Sequence, residues 1–540
     1  MDPETTVSKP SSAQAGAPEE SGYFTRSSSG LVRGISLSSS VILNLSFVGL
    51  VQAILAVTLI PASFPGANPA IVTAICAVAL IAPYVMYGLF TRLMPRSGGD
   101  YVFVSRALGP WAGLAASVNV TLWYAAAIAY LTFVIPQTAL PSALASIGVI
   151  ADSETLITWS EDLLLDGWTF LIAGLSILGI FVAASLRLNW TLRFARVLLG
   201  LAAFGVLLSI VVLLFNGRDD FVSAVSAFGG NYEEIIAAGN IDTSFDLGDT
   251  LLATSLAFFS LGFGIATAYT GGELRSSQQT AVRGMLYALA IAAGTMVVAF
   301  ALASRVMGND FLGAATNLSL AGDEAYPFGV GSNFFFFVSM LADNTIIAAL
   351  LGIAFVAGAA ALCIPVFLIA SRSLFAWSFD RLVPEGLSHV DPRTRSPLRA
   401  NVLVLVVAFA YLALMVFGSA DFTIILYTQT LGLLLTFLVV SLAGVVLPYR
   451  RPDLYKLGSS DRRVLGLPLL TFVSLIALVV YGFFTVVFAT QDVLAANSST
   501  GIKALIVIAV ISIVAYPVSY LINKSRGLDL SLANKTLPPE

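Results

Sequence analysis

Apolar stretches of about 20 residues, each long enough to cross a bilayer core of roughly 30 Å as a helix, recur along almost the whole chain. No other feature narrows the fold so far. Charged residues occupy only 11% of the 540 positions and hydrophobic ones 58%, where a soluble domain carries about 25% charge. The chain therefore reads as an all-α integral membrane protein that crosses the bilayer many times.

Twelve stretches qualify as spans: 37–60, 69–93, 111–135, 167–186, 195–215, 250–270, 281–305, 343–370, 400–418, 422–447, 466–489 and 502–522. Segments 136–166 and 306–342 hold further apolar residues and read as short interfacial or re-entrant helices. The first thirty residues are rich in Ser, Ala, Glu and Pro and have no apolar core. They read as a disordered tail rather than a signal peptide. Cys76 and Cys363 both fall inside apolar runs and behave as small hydrophobes. A single histidine, His389, excludes a histidine-built metal or catalytic cluster by count. No Asp, Glu, Lys or Arg sits at the centre of a span, so most membrane-embedded enzyme chemistry is excluded as well. No cofactor, metal or nucleic-acid partner is expected.

Lysine and arginine set the orientation. With the N-terminus inside, all of the 27 basic residues except Arg218, Arg305 and Lys503 fall on the cytoplasmic side. The acids lean the other way, seven of them (Asp219, Asp220, Glu233, Glu234, Asp242, Asp246, Asp249) sharing one outer loop. Twelve spans then place both termini in the cytoplasm, and the expected location is the plasma membrane.

Three loops carry recognisable motifs. "MPRSGGDYVFVSRALGP" follows span 2, "TGGELRSSQQTAVRG" follows span 6 and "ASRSLFAWSFDRLVPEGLSHVDPRTRSP" follows span 8. In the first, Pro95, Ser97, Gly98, Gly99 and Tyr101 match the Pro-Xaa-Ser-Gly-Gly-Xaa-Tyr run of amino acid permeases of the amino acid–polyamine–organocation (APC) superfamily. In the second, Gly272, Glu273 and Arg275 are kept, while Ser276-Ser277 replace the usual Asn-Pro. In the third, Ser371, Arg372, Phe375, Ala376, Asp380, Pro384 and Pro397 match. The chain thus resembles that superfamily over residues from about 35 to 450.

The resemblance implies a LeuT-like architecture. A disordered tail, 1–34, precedes a first five-helix repeat at 35–216. An extracellular loop at 217–249 leads to a second, inverted repeat at 250–448, and five spans per repeat satisfy the inversion. A cytoplasmic loop at 449–465, two peripheral helices at 466–523 and a cytoplasmic tail at 524–540 complete the chain. It implies a site at mid-membrane where spans 1 and 6 unwind. Half-helix N-termini offer N–H groups to a carboxylate there, and carbonyls face an amine. Asn44, Ser46, Phe47, Val48 and Gly49 mark the break in span 1, and Phe259, Ser260, Leu261, Gly262, Phe263 and Gly264 the one in span 6. Tyr124 in span 3 would cover the pocket. Each has a plainer alternative: Gly262 and Gly264 allow close helix packing, Asn44 bonds a neighbouring helix, and Tyr124 and Trp123 fill the core.

Substrate and coupling are only partly legible. The lack of intramembrane acids favours a neutral amino acid over a cationic one or a polyamine. The middle of span 8, "AFVAGAAALCIPVF", holds no hydroxyl, which argues against a hydroxyl-built sodium site. Glu273, Asp100, Asp343 and Asp421 lie at span ends and could titrate or simply pair. Proton symport, exchange, uniport and a non-transporting sensor of the same fold all stay open.

Overall fold

A computed structural model describes residues 33–418, 422–458 and 462–527. Most of the two expected tails, and Asp421, lie outside the described residues. Among the described residues eleven helices are long and apolar enough to cross a membrane. A twelfth apolar helix, Leu247–Leu261, is shorter because its span is interrupted.

The first span consists of two helices, α1 (Leu37–Val48) and α2 (Leu50–Ser63), that meet at Gly49. Gly49 has φ +67°, a conformation open to glycine and strained for other residues, and a Cβ there would sit 2.7 Å from Leu362. Span 2 is α3 (Pro69–Leu93), started by an Asn68 cap and Pro69. The short α4 (Asp100–Ala107) leads to span 3, where α5 (Pro110–Val134) continues through a π-turn into α6 (Leu140–Ile150). Beyond α7 (Glu154–Asp162) come span 4, α8 (Asp166–Ser185), and span 5, α9 (Leu188–Phe215).

The expected loop at 217–249 contains two helices, α10 (Arg218–Ala227) and α11 (Tyr232–Gly239). Span 6 is α12 (Leu247–Leu261), four non-helical residues at 262–265, and the single turn α13 (Ala266–Tyr269). Span 7 is α14 (Ser277–Val306); α15 (Asn309–Ala321) and α16 (Phe334–Ala342) precede span 8, α17 (Thr345–Phe379). Spans 9 and 10 are α18 (Leu398–Phe417) and α19 (Phe422–Arg450). The loop that follows holds α20 (Pro452–Gly458) and a two-residue hairpin pairing Arg463–Val464 with Leu467–Pro468. Spans 11 and 12 are α21 (Leu469–Thr490) and α22 (Ser499–Ser525). α21 packs on α19 and α3, α22 on α5.

Several boundaries differ from the sequence reading. Span 3 runs on to Ile150 instead of ending near 135, because the π-turn at Ile135–Ala139 absorbs Pro136 without stopping the helix. Segment 136–166 is thus partly the last turns of span 3. Span 5 begins at Leu188, seven residues earlier than expected; Arg193 lies over the Trp190 ring at 4.9 Å. Span 8 reaches Phe379, carrying Arg372 inside the protein.

Small residues set the helix spacing, as expected where lipid supplies no hydrophobic drive between helices. A Cβ on Gly205 of α9 would come within 2.1 Å of Ala354 on α17, and one on Gly358 within 2.5 Å of Val51 on α2.

At one end of the bundle the three motif loops close on each other. Gly98 N–H donates to the Tyr269 carbonyl at 3.0 Å, and Ser97 bridges Thr270. Gly34 and Ile35 N–H groups donate to the Glu273 carbonyl at 2.9 Å, and Arg275 N–H to Ile35. Two buried ion pairs lock the same place: Arg372 Nε to Glu273 Oε1 at 2.8 Å, and Arg106 Nη2 to Asp380 Oδ2 at 2.9 Å. Tyr101 adds a hydrogen bond to Asp380 at 2.6 Å. We call this the clasped end.

The close α9–α17 contact yields a controlled test. Gly205→Val should destabilise the protein by about 1–3 kcal/mol through overpacking, read as a lower melting temperature in detergent. Gly200→Val on the same helix, where a Cβ meets nothing within 4 Å, should melt close to the parent.

Candidate ligand site at the two helix breaks

Breaking span 6 leaves buried backbone groups without helical partners, and a side chain from another helix takes them. The Tyr84 hydroxyl on α3 donates to the Leu261 carbonyl and accepts from Gly264 N–H at 2.8 Å. Gly264 has to be glycine: a Cβ would sit 2.4 Å from that hydroxyl. Gly262 N–H closes the last turn of α12 on the Phe258 carbonyl. On the far side of the break, Asn44 of α1 holds the start of α13. Its Oδ1 accepts from Thr267 N–H at 3.0 Å, and its amide donates to Thr267 Oγ1 at 3.0 Å. The two interrupted spans are therefore tied to each other through Asn44.

Beside these breaks lies a cavity of about 120 Å³. A single water needs about 10–15 Å³ of such space, so the cavity suits a ligand of on the order of ten non-hydrogen atoms. Phe47, Val48 and Gln52 line it from span 1, Leu256, Phe259 and Ser260 from α12, Phe263 from the break that follows it, and Tyr124 and Tyr130 from α5. Leu362 and Val366 come from α17, and Tyr427, Gln429 and Leu433 from α19. Phe47 stands at the centre of an aromatic cluster, 5.6 Å from the Tyr124 ring and 5.9 Å from Phe263.

The wall is apolar except at a few points. Both amide atoms of Gln52, Gln429 Oε1, Ser260 Oγ and the Tyr124 hydroxyl are buried without a hydrogen-bond partner. Each such group costs about 1–3 kcal/mol if left so. Such groups are rare in native proteins, and these five atoms, from four elements of the fold, all belong to residues that line one cavity. None of the lining residues is Asp, Glu, Lys, Arg or His.

Of the residues singled out from sequence, Phe47, Val48, Phe259, Ser260, Phe263 and Tyr124 line the cavity. Gly49 forms the first break, and Leu261, Gly262 and Gly264 the second. Asn44 lies off the cavity with its side chain committed to Thr267. Ser46 is buried with its hydroxyl unpartnered, also off the cavity. Trp123 packs instead, donating to Asn119 Oδ1 at 3.2 Å. The sequence reading missed Gln52, Gln429, Tyr130 and Tyr427. The available signal was an isolated glutamine in each of two apolar runs, Gln52 lying just beyond the expected break in span 1.

Comparison with protein families gives a match to the family model described as "Amino acid permease" over residues 34–518. No curated protein matches the chain.

Tyr84→Phe removes both bonds that make the break in span 6 tolerable. It should cost about 2–4 kcal/mol, the desolvation of two unpaired backbone groups, measured as a fall in melting temperature. A melting temperature unchanged from the parent would show that water reaches the break.

Proposed function

Because the chain belongs to the amino acid permease family, we propose that it is a secondary active transporter of neutral, apolar amino acids that works by alternating access. The observation that carries this reading is the cavity between the two broken spans, apolar in its walls and edged by unpartnered polar groups. A zwitterion brings a carboxylate and an ammonium, which suit a half-helix N-terminus, amides and a hydroxyl. Its side chain would lie against Phe47, Phe259, Phe263 and Leu362. A cationic side chain would meet no carboxylate, and desolvating it there would be costly.

The 5+5 inverted repeat, 35–216 and 250–448, is part of the proposal, and the helix pairings support it. Under an exchange of each span with the one five later, pairs 2–7, 3–8 and 4–9 map onto themselves, and all three pack together. The contact of span 1 with span 7 has its counterpart in span 6 with span 2. Span 5 with span 8 is answered by span 10 with span 3, and span 4 with span 8 by span 9 with span 3. On this reading the clasped end is cytoplasmic, both termini lie inside, the host membrane is the plasma membrane, and the coupling ion is the proton.

The test is counterflow in liposomes of purified protein loaded with unlabelled amino acid. Saturable exchange of one or more neutral apolar amino acids, indifferent to sodium, is expected; exchange of cationic amino acids alone would overturn the reading. Gln52→Leu should raise the half-saturating concentration about tenfold, the loss of about 1.4 kcal/mol of polar contact. Gly98→Val puts a branched side chain at φ +108° with its Cβ 2.5 Å from Ala376. It should slow exchange severalfold, with substrate affinity held within about twofold, because it obstructs closure and leaves the cavity alone. Equal losses in both would contradict that role.

A further inference from the structure

Three carboxylates are buried at the clasped end. Glu273 has Arg372 and Asp380 has Arg106. Asp100, fully buried at the start of α4, has no arginine or lysine in ion-pair range among the described residues. Its Oδ2 accepts a hydrogen bond from the Tyr269 hydroxyl at the end of span 6, and its Oδ1 is buried with no partner. The other ionisable groups near it are phenols: Tyr87 on α3, Tyr124 on α5 and Tyr481 on α21. Tyr87 faces the carboxyl without closing a hydrogen bond. On the remaining elements packed against α4, Arg372 of α17 is engaged by Glu273, and α19 contributes no ionisable group near it. On α4 itself, Arg106 and Tyr101 turn to Asp380.

We propose that Asp100 is the proton-binding site of this transporter, receiving a proton from the opposite side of the membrane by way of the cavity while the clasped end is closed and releasing it to water as that end opens. The proposal rests on the transport reading above and adds the group through which protons couple. An unpaired carboxylate in a dry site is costly, whereas the neutral acid is tolerated. Burial accordingly pushes the Asp100 carboxyl up to about 7, with the Tyr269 and Tyr87 hydroxyls pulling the other way. The sign follows: a carboxyl whose value is raised on closure holds its proton in the closed form. Closure is therefore favoured at low pH and weakened as pH rises from the ordinary carboxylate range through neutrality.

The group is also wired to the cavity. Gly98 N–H and Gly99, beside Asp100, press on Tyr269, where a Cβ at Gly99 would sit 2.5 Å from the ring. Tyr269 stands edge-on to Tyr124 at 6.3 Å, and Tyr124 lines the cavity. A ligand that repositions Tyr124 or the span 6 break thus moves the phenol that hydrogen-bonds Asp100.

Proteoliposomes test this with two separate readouts, counterflow without a gradient and accumulation driven by an imposed proton gradient. Wild type should show both. Asp100→Asn, an isosteric copy of the protonated acid, should keep counterflow and lose accumulation. Tyr269→Phe removes a donor to the ionised form and should shift the pH midpoint of uptake upward by about half to one unit. Wild-type counterflow without proton-driven accumulation, or full accumulation in Asp100→Asn, overturns the proposal and leaves the transport reading standing. Absence of counterflow in wild type fails the transport reading instead. Infrared difference spectra between acid and alkaline pH need no transport. A protonated-carboxyl band that titrates near neutrality in wild type and is missing in Asp100→Asn supports the assignment, and a band that persists in the variant refutes it.

Discussion

A helix interrupted inside a membrane exposes N–H and carbonyl groups where no water can satisfy them, and the rest of this structure is arranged around that constraint. Tyr84 bridges the break in span 6 from α3, and Asn44 carries the restart of that span from α1. The interruption in span 1 costs less because Gly49 takes the left-handed conformation while keeping its N–H on Leu45. With these repairs made by protein groups, the breaks can stay open beside a cavity without unravelling. They place Phe47, Val48 and Gln52 opposite Phe259, Ser260 and Phe263. Site and fold are thus one arrangement: the residues that hold the breaks are neighbours of those that line the cavity.

The clasped end has a different energetic character. Two ion pairs with side chains almost fully withdrawn from solvent are a weak source of net stability, since desolvation offsets most of the attraction. They are better understood as register devices. Arg372 reaches Glu273 only when the spans carrying them are correctly seated, and Arg106 reaches Asp380 under the same condition. Opening this end would expose both pairs to water, where they separate cheaply. Closure and opening can then lie close in free energy, as a conformational cycle requires. Among the described residues Asp100 is the one of the three carboxylates there without a cationic partner, and on the reading proposed above this makes the balance sensitive to protons.

How much of this was legible in the sequence follows from the range of the interactions. Spans 4, 9 and 11 were readable because uniform hydropathy is a local property. The break in span 6 was expected from the family resemblance, and Gly262 and Gly264 alone left close helix packing open; the approach of Tyr84, which leaves no room for a Cβ at 264, is seen only in the fold. The extension of span 3 was hidden by Pro136, which reads as a stop until the π-turn accommodates it. The length of span 8 was hidden by Arg372, a charge that ends a span by rule but is neutralised by Glu273, 99 positions away. Gln52 and Gln429 look like stray polar residues in apolar helices. Only packing α2 and α19 around one space brings them to a common cavity, and no local pattern encodes that. The solitude of Asp100 is likewise a tertiary fact.

The central claim is that the cavity between the broken spans is where the amino acid sits. Alkylation of a cysteine placed at Ser260 tests it most directly, in a background with Cys76 and Cys363, both buried, replaced by serine or alanine. The account predicts that the neutral amino acid exchanged by the protein slows modification of Ser260→Cys in proportion to its occupancy, while an amino acid that is not exchanged leaves the rate alone. Alkylation at the same rate with and without saturating substrate would place the ligand elsewhere and contradict the account.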